Sequence, residues 1–275
     1  MIAPPPTLHE ILATLLAHEF ADEEVGFTGL LTGAAAAAFG TAIPLVSMEL
    51  ARRTHAPNLT ILLAGCYHNP DLRELEALPD SEHSAMLRDL PSESQMIDYP
   101  GQWVLKRGDI DFGFSSAVQV DQEGNINSVC IGPHERPKVR LVGPILQPEH
   151  MALFGREYVM MPYHEKRNFV EKVDYVSGVG YPGGLAGRHA LALDRGGPAL
   201  IVTPKCIFDF NRDVGRMIVK SIHPGVSVEA LRTATDFELG DLSGVPDTPL
   251  PTAGELRLIR EEIDPRHILL PNRQI

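Results

Sequence analysis

The sequence predicts an α/β protein built on a mostly parallel sheet with helices on both faces, and three observations carry that prediction. Short apolar runs bounded by Gly, Pro or Asn recur along the chain. Stretches of helical period alternate with them. One run, Leu59 to Leu63, is apolar at nearly every position, as a strand buried on both faces requires.

The elements follow in order. Leu8, Ile11, Leu12, Leu15 and Leu16 recur at helical spacing, so residues 8–18 form an amphipathic helix. Residues 24–31 read as a short strand that enters a Gly/Ala-rich loop. Pro44 to His55 pairs Leu45 with Met48 and Val46 with Leu50; Arg52, Arg53 and His55 suit a helix C-terminus, and Pro57 stops it. Residues 110–120 and 129–131 are strand-like and flank the turn Asp121-Gln122-Glu123-Gly124-Asn125. Further strands are expected over 158–161, 172–177 and 199–203. Ser227 caps one late helix, and Thr252 with Glu255 forms a capping box for another that ends at Ile263-Asp264-Pro265. Only Gly244 to Pro251 resembles a linker and no repeat is evident, so residues 1–275 are expected to form a single domain.

Composition narrows the function. The 275 residues are 44% apolar with a formal net charge of -12, and no basic run offers a face for phosphates, so nucleic acid is not an expected partner. Cys66, Cys130 and Cys206 lie far apart with no CxxC pair, which argues against a disulfide framework or zinc ribbon and for a reducing cytoplasm. The first ten residues lack the basic region of a signal peptide. Val25 to Met48 carries no charge, but Gly, Ala, Thr and Pro44 suit a buried strand, loop and helix start better than a membrane span. Eleven histidines show neither H-x3-H nor H-E-x-x-H spacing, so no metal site is expected.

Ligands of open α/β sheets gather beyond the carboxyl ends of strands. That directs attention to Ala64-Gly65-Cys66, to Ser115-Ser116-Ala117 and to the loop from Ser177 to Gly184. Cys66 is a candidate thiolate, weighed against inert core filler. Gly178, Gly180 and Gly183 spell G-x-G-x-x-G, yet Pro182-Gly183-Gly184 is poor material for a phosphate-binding helix start, so a structural turn is expected.

Several motifs then carry a resemblance. Gly40-Thr41-Ala42-Ile43-Pro44 with the stretch from Glu49 to Leu59, Asp109-Ile110-Asp111-Phe112, Gln119-Val120-Asp121 and Gly124-Asn125-Ile126-Asn127 resemble family I coenzyme A transferase β subunits of the glutaconate CoA-transferase type. So do Glu135-Arg136-Pro137-Lys138-Val139-Arg140, Phe169-Val170-Glu171-Lys172-Val173-Asp174, His223-Pro224-Gly225-Val226, Glu255-Leu256-Arg257 and Ile263-Asp264-Pro265. The neighbourhoods of Val176-Ser177-Gly178 and His223-Pro224-Gly225 resemble β subunits of actinobacterial cholesterol ring-cleaving hydrolases.

The resemblance implies a CoA-transferase-like fold, an acyl-CoA thioester as substrate with no bound cofactor, and an α-type subunit as partner in a cytoplasmic hetero-oligomer. It places Ser115, Ser116 and Ala117, with Gln119 beyond them, beside the acyl group. Residue chemistry alone equally allows a strand end packed with small side chains, and favours Gln119, Asp121 and Asn125 as residues that hold the turn. Two departures stand out. The family's nucleophilic glutamate gives way to Ala64-Gly65-Cys66, and alanine forms neither an acyl anhydride nor a glutamyl thioester. The family's Gly-Ser-Gly-Gly loop gives way to Gly143-Pro144-Ile145-Leu146, where Pro144 has no N–H to donate. Three readings follow: a hydrolase or ring-cleaving enzyme, a CoA transferase with its nucleophile elsewhere (Glu93), or a non-catalytic subunit.

Overall fold

Strand formation concentrates where apolar residues run together, and the computed structural model, which describes residues 4–95 and 108–271, gathers those strands into two compact units. The first unit holds the chain up to Gln95, residues Ile110–Phe114 and the tail from Pro249; the second holds Ser115–Thr248.

In the first unit β1 (Val25–Thr28) lies parallel to both β2 (Thr60–Leu63) and β5 (Phe112–Ser115). Beyond β2, β3 (Tyr67–Pro70) and β4 (Ser92–Gln95) add antiparallel edge strands. Helix α1 (Leu8–Ala17) is opened by the Thr7–Glu10 capping box and buries Leu12 and Leu16 against α2 (Ala34–Thr54). Glu10 also receives a two-pronged contact from Arg260, at 2.6 and 2.8 Å, which ties α1 to the turns after the capping box of Thr252 and Glu255.

Helix α2 departs from expectation. The Gly/Ala stretch is helical from Ala34, not a loop, and the helix runs through Pro44 without a break. Widened π-type turns over Ala38–Ala42 absorb the proline, with the Ile43 N–H donating to Ala38 O. The carbonyl of Gly40, which an ordinary residue at 44 would engage, instead accepts from the buried Thr28 hydroxyl at 2.9 Å. At 21 residues α2 is long and apolar enough to cross a membrane, but most of it is buried inside the first unit, as in the core helix of a soluble protein.

In the second unit β10 (Arg156–Met160) pairs in parallel with β12 (Pro198–Val202), and β13 (Cys206–Asn211) and β14 (Arg216–Ile222) extend it as an antiparallel hairpin. Each unit thus has a parallel core widened by antiparallel strands, so the sheet is mixed rather than mostly parallel. The expected strand over 110–120 ends at Ser115 and restarts as β6 (Gln119–Asp121), which joins a small sheet with β7 (Ile126–Asn127) and β11 (Phe169–Val170). A second hairpin pairs β8 (Cys130–Ile131) with β9 (Val139–Arg140).

Residues 172–177 form no strand. Side chains capture amides that a ladder would use: Val173 N–H donates to Asp121 and Asp174 N–H to Gln119. Helices α3 (Gln147–Leu153), α4 (Gly184–Ala190) and α5 (Val228–Thr233) complete the unit, α5 under the expected Ser227 cap. Helix α4 shows that Gly183-Gly184 does begin a helix. Both glycines take positive φ there, and a Cβ on Gly184 would lie 2.2 Å from Asp213 O.

A polar network crosses the core of this unit. His164 sits between the Thr203 and Thr235 hydroxyls, at 2.9 and 3.0 Å. His223 sits between the Thr248 hydroxyl and Thr203 O, both at 2.8 Å. The carbonyl can only accept, so His223 carries its proton on Nε2.

Candidate functional site

The end of β2 is shaped by two successive left-handed residues, Ala64 (φ 54) and Gly65 (φ 72), which turn the chain back into β3. Ala64 N–H donates to Thr28 O at 2.8 Å and Cys66 N–H to Leu63 O at 3.1 Å, so the turn is internally bonded. The Cys66 thiol is half-buried; burial, with the nearby Glu82 charge, raises its pKa and keeps it protonated at neutral pH. No hydrogen bond joins Cys66 to His68 among the described residues; the His68 Nδ1 is hydrogen-bonded to the Ser94 hydroxyl at 2.9 Å.

Glu93 stands on β4 and is exposed. It accepts from Asn69 at 2.8 Å and faces Arg52 at 3.6 Å. It borders a polar groove of about 230 Å³ in which Arg52, Arg53 and Arg73 are offset by Glu49, Asp71 and Glu93. Neither Cys66 nor Glu93 has the neighbouring base or desolvated setting that activates a nucleophile.

The end of β5 is different. The Ser115 hydroxyl, nearly buried, donates to Oε1 of Glu157, a fully buried carboxylate on β10. His150 Nδ1, from α3, lies 3.3 Å from the same oxygen, and its ring stacks on Phe154 with centroids 4.3 Å apart. Glu157 Oε2 has no hydrogen-bond partner among the described residues. A wholly buried glutamate is rare without such partners, and here one oxygen gathers both.

The next carbonyl is fixed as well. Ser116 O accepts from the Gln147 side-chain amide and from the Ser128 hydroxyl, and Gln147 is itself held by Ser177 at 3.0 Å. The Ser116 and Ala117 N–H groups donate to no acceptor among the described residues. Two adjacent amides at an anchored strand end can together receive one developing oxyanion.

Gln119 belongs to a different set. Its carbonyl accepts from Asn127 at 2.7 Å and from Asp174 N–H at 3.1 Å, and its amide donates to Asp174 at 2.9 Å. Asp121 accepts from Glu123 N–H and from Asn125 through backbone and side chain, and Gly124 takes φ 77. The structure thus keeps Ser115, Ser116 and Ala117 together and binds Gln119 into the turn.

The glycine loop is engaged internally. Gly180 N–H donates to Asn125 Oδ1 at 2.9 Å, and a Cβ on Gly180 would lie 2.2 Å from Glu123 O. Gly180 is there for close approach of two backbones, as a structural turn requires.

Glu157, His150 and Gln147 escape sequence reasoning. Glu157 stands at the edge of an apolar run, where an exposed strand residue is the ordinary reading, and its partner Ser115 is 42 residues away. The local signal is Gln147-Pro148-Glu149-His150, where Pro148 opens a helix and leaves two polar side chains flanking it.

Comparison with known proteins gives a consistent answer. The family model for coenzyme A transferase matches residues 101–234. The β-type chain of the glutaconate CoA-transferase of Acidaminococcus fermentans is 31% identical over 228 residues, covering 82% of this chain and 85% of that one. The crystal structure of that enzyme superposes with a TM-score of 0.75 at 28% identity, covering 96% of this chain and 97% of the other. The IpdB subunit of the cholesterol ring-cleaving hydrolase of Mycobacterium tuberculosis is 37% identical over 159 residues, 55% of this chain and 60% of that one. Rhodococcus jostii IpdAB superposes with a TM-score of 0.74 at 28% identity, covering 98% of both chains. The length, order and extent of these matches establish that the chain belongs to the coenzyme A transferase family, as a β-type subunit.

Proposed function

We propose that this chain is the β-type subunit of a cytoplasmic heteromeric enzyme that acts on an acyl-CoA thioester by hydrolysis or ring cleavage. An α-type subunit supplies the acid/base residue. The anchored end of β5 carries the reading: the Ser116 and Ala117 amides meet the acyl carbonyl oxygen as it gains negative charge, and Ser115 and Glu157 hold them in place. The residue set at the end of β2 supports cleavage over transfer, since Ala64-Gly65-Cys66 offers no carboxylate to carry an acyl group.

Transfer is the second reading, favoured by the activity named for the Acidaminococcus fermentans relative. Incubating the assembled complex with an acyl-CoA and a labelled carboxylic acid separates the two. Free CoA or a ring-opened CoA product, formed without any acceptor, is the expected result. Movement of CoA onto the labelled acid, with a borohydride-trappable thioester on this chain, would overturn it.

Ser115→Ala tests the strand end. Loss of its hydroxyl frees the segment from Glu157, and kcat should fall by about tenfold to a hundredfold, with KM little changed. Steady-state kinetics beside a melting curve make the measurement. An unchanged kcat in a folded variant removes the β5 end from the chemistry.

A further inference from the structure

The peptide between Ser116 and Ala117 is held by its oxygen. That oxygen accepts from the Gln147 side-chain amide and from the Ser128 hydroxyl, so both of its lone pairs are engaged. In a trans peptide the carbonyl and the following N–H point in opposite directions. Fixing Ser116 O therefore aims Ala117 N–H, and drawing on the carbonyl makes that N–H a stronger donor.

The proton order behind this contact is determined. A carbonyl only accepts, so Gln147 turns its Nε2 to Ser116 O and its Oε1 to Ser177. The Ser177 hydroxyl then spends its single proton on Gln147 Oε1, at 3.0 Å, and accepts from Ser128 N–H at 3.1 Å. Ile126 O, also within 3.0 Å of that hydroxyl, is already served by Ser177 N–H at 2.8 Å. Hydrogen bonds thus run one way, from Ser177 through Gln147 and the Ser116 carbonyl to the Ala117 amide. The chain leading to Gln147 is itself fixed: Gly143 N–H donates to Ser128 O and Gln147 N–H to Pro144 O, both at 2.9 Å. Between them Ile145 takes a φ of 49, a strained conformation for a β-branched residue.

We infer that Gln147, oriented by Ser177, is a positioning residue that aims and polarises the Ala117 N–H for the acyl oxygen. This rests on the reading of the β5 end given above. Gln147 acts through the Ser116–Ala117 peptide, and the loop that begins at Ser177 gains a task beyond its turn.

The test uses the assembled complex and the acyl-CoA that it turns over, with a melting curve for each variant. Gln147→Leu removes the donor at similar volume; kcat should fall by about tenfold to a hundredfold with KM little changed. Gln147→Glu gives the sharper reading. At pH 8 its carboxylate accepts from Ser177 but cannot donate to Ser116 O, so kcat should fall at least as far. A carboxyl titrates near about 4.3, and higher when partly buried, so acid returns the missing donor. Relative to wild type at the same pH, kcat of Gln147→Glu should recover about fivefold or more between pH 8 and pH 5. The groups it bonds, Ser116 O and the Ser177 hydroxyl, do not titrate in that range. Ser177→Ala should lower kcat by about threefold to tenfold alone, but by less than about twofold on top of Gln147→Leu. A reading without substrate accompanies these: with 13C-serine and 15N-alanine labels, the Ala117 amide resonance should shift between pH 8 and pH 5 in Gln147→Glu and stay in place in wild type.

An unchanged kcat in folded Gln147→Leu and Gln147→Glu overturns the inference, as does a Gln147→Glu deficit and Ala117 resonance that ignore pH. A raised KM at unchanged kcat also overturns it, because Gln147 would then bind substrate. If Ser115→Ala lowers kcat while the Gln147 variants do not, the reading of the β5 end survives and only this inference falls. If none of the three lowers kcat, both fall.

Discussion

Arg188→Met should destabilise the second unit by about 3–5 kcal/mol. Arg188 is only 2% exposed and faces no carboxylate among the described residues. Its guanidinium instead donates to four backbone carbonyls: Val179 O at 2.8 Å, Gly180 O at 2.7 Å, Met151 O at 2.9 Å and Arg195 O. The Tyr181 ring adds a face at 5.4 Å. Burial lowers the Arg188 pKa, yet an arginine remains charged at any working pH. Carbonyl dipoles therefore do the work of a counter-ion, and the fork-shaped group joins the glycine loop, α3 and the segment before β12 at one point.

Methionine fills much the same volume but donates nothing, and four buried carbonyls lose a partner together. Arg188→Lys should fall between, since one ammonium cannot span the four acceptors that a planar fork reaches. Urea unfolding gives the comparison. A loss below about 1 kcal/mol for the methionine variant would show that water replaces the guanidinium and that the loop holds itself.

Acid should destabilise the protein well before its carboxylates titrate. Burial, reinforced by Lys205 and His223, pushes the His164 pKa down to about 3, and burial likewise lowers that of His223. In the unfolded chain both titrate near 6.5. Above that value neither state binds these protons, and the histidine network contributes its full stability. As pH falls below 6.5 the unfolded chain takes up protons that the folded core refuses, so the contribution shrinks until the pH reaches the folded values. The slope approaches about 1.4 kcal/mol per pH unit for each histidine held neutral.

Unfolding free energies at pH 7.5, 6 and 5 measure it. His164→Asn should be less stable than wild type at pH 7.5, because a smaller side chain reaches only one of the two threonines. Its dependence on pH below 6 should be shallower by about 1.4 kcal/mol per unit. Equal slopes in the two proteins would mean that His164 becomes protonated without unfolding.

What the sequence discloses follows how local the determining forces are. Leu59 to Leu63 and Leu8 to His18 are legible because burial imprints its period directly on neighbouring residues. The Thr252–Glu255 box is legible because both of its bonds close within three residues. Helix α2 is misread at its start. Gly33, with φ 87, supplies no side-chain cap, and Pro44 looks like a first helical residue when it stands more than two turns inside. Residues 172–177 carry a strand-like alternation, but Gln119 and Asp121 take their amides from over fifty residues away.

The site divides in the same way. Ser115-Ser116-Ala117 is found by its place at the end of an apolar run. Glu157 is not, because nothing in Arg156-Glu157-Tyr158 tells a solvated carboxylate from one sealed under a serine. The antiparallel hairpin of β13 and β14 is hidden for a simpler reason. Its turn, Arg212-Asp213-Val214-Gly215, lacks the Asn-Gly or Asp-Gly pair that marks a tight two-residue hairpin.

The hydroxyl that Thr28 lends to Gly40 makes two distant positions one unit of inheritance. While residue 44 is proline, a valine at 28 would strand a buried carbonyl. If residue 44 regained its N–H, that carbonyl would have a second suitor, and the threonine would become dispensable. Loss of the threonine is tolerable only once residue 44 carries an N–H, so the end of β1 is free to change only after the bend of α2 has. A lineage that straightens the helix is thereby released from keeping a polar residue at the end of its central strand.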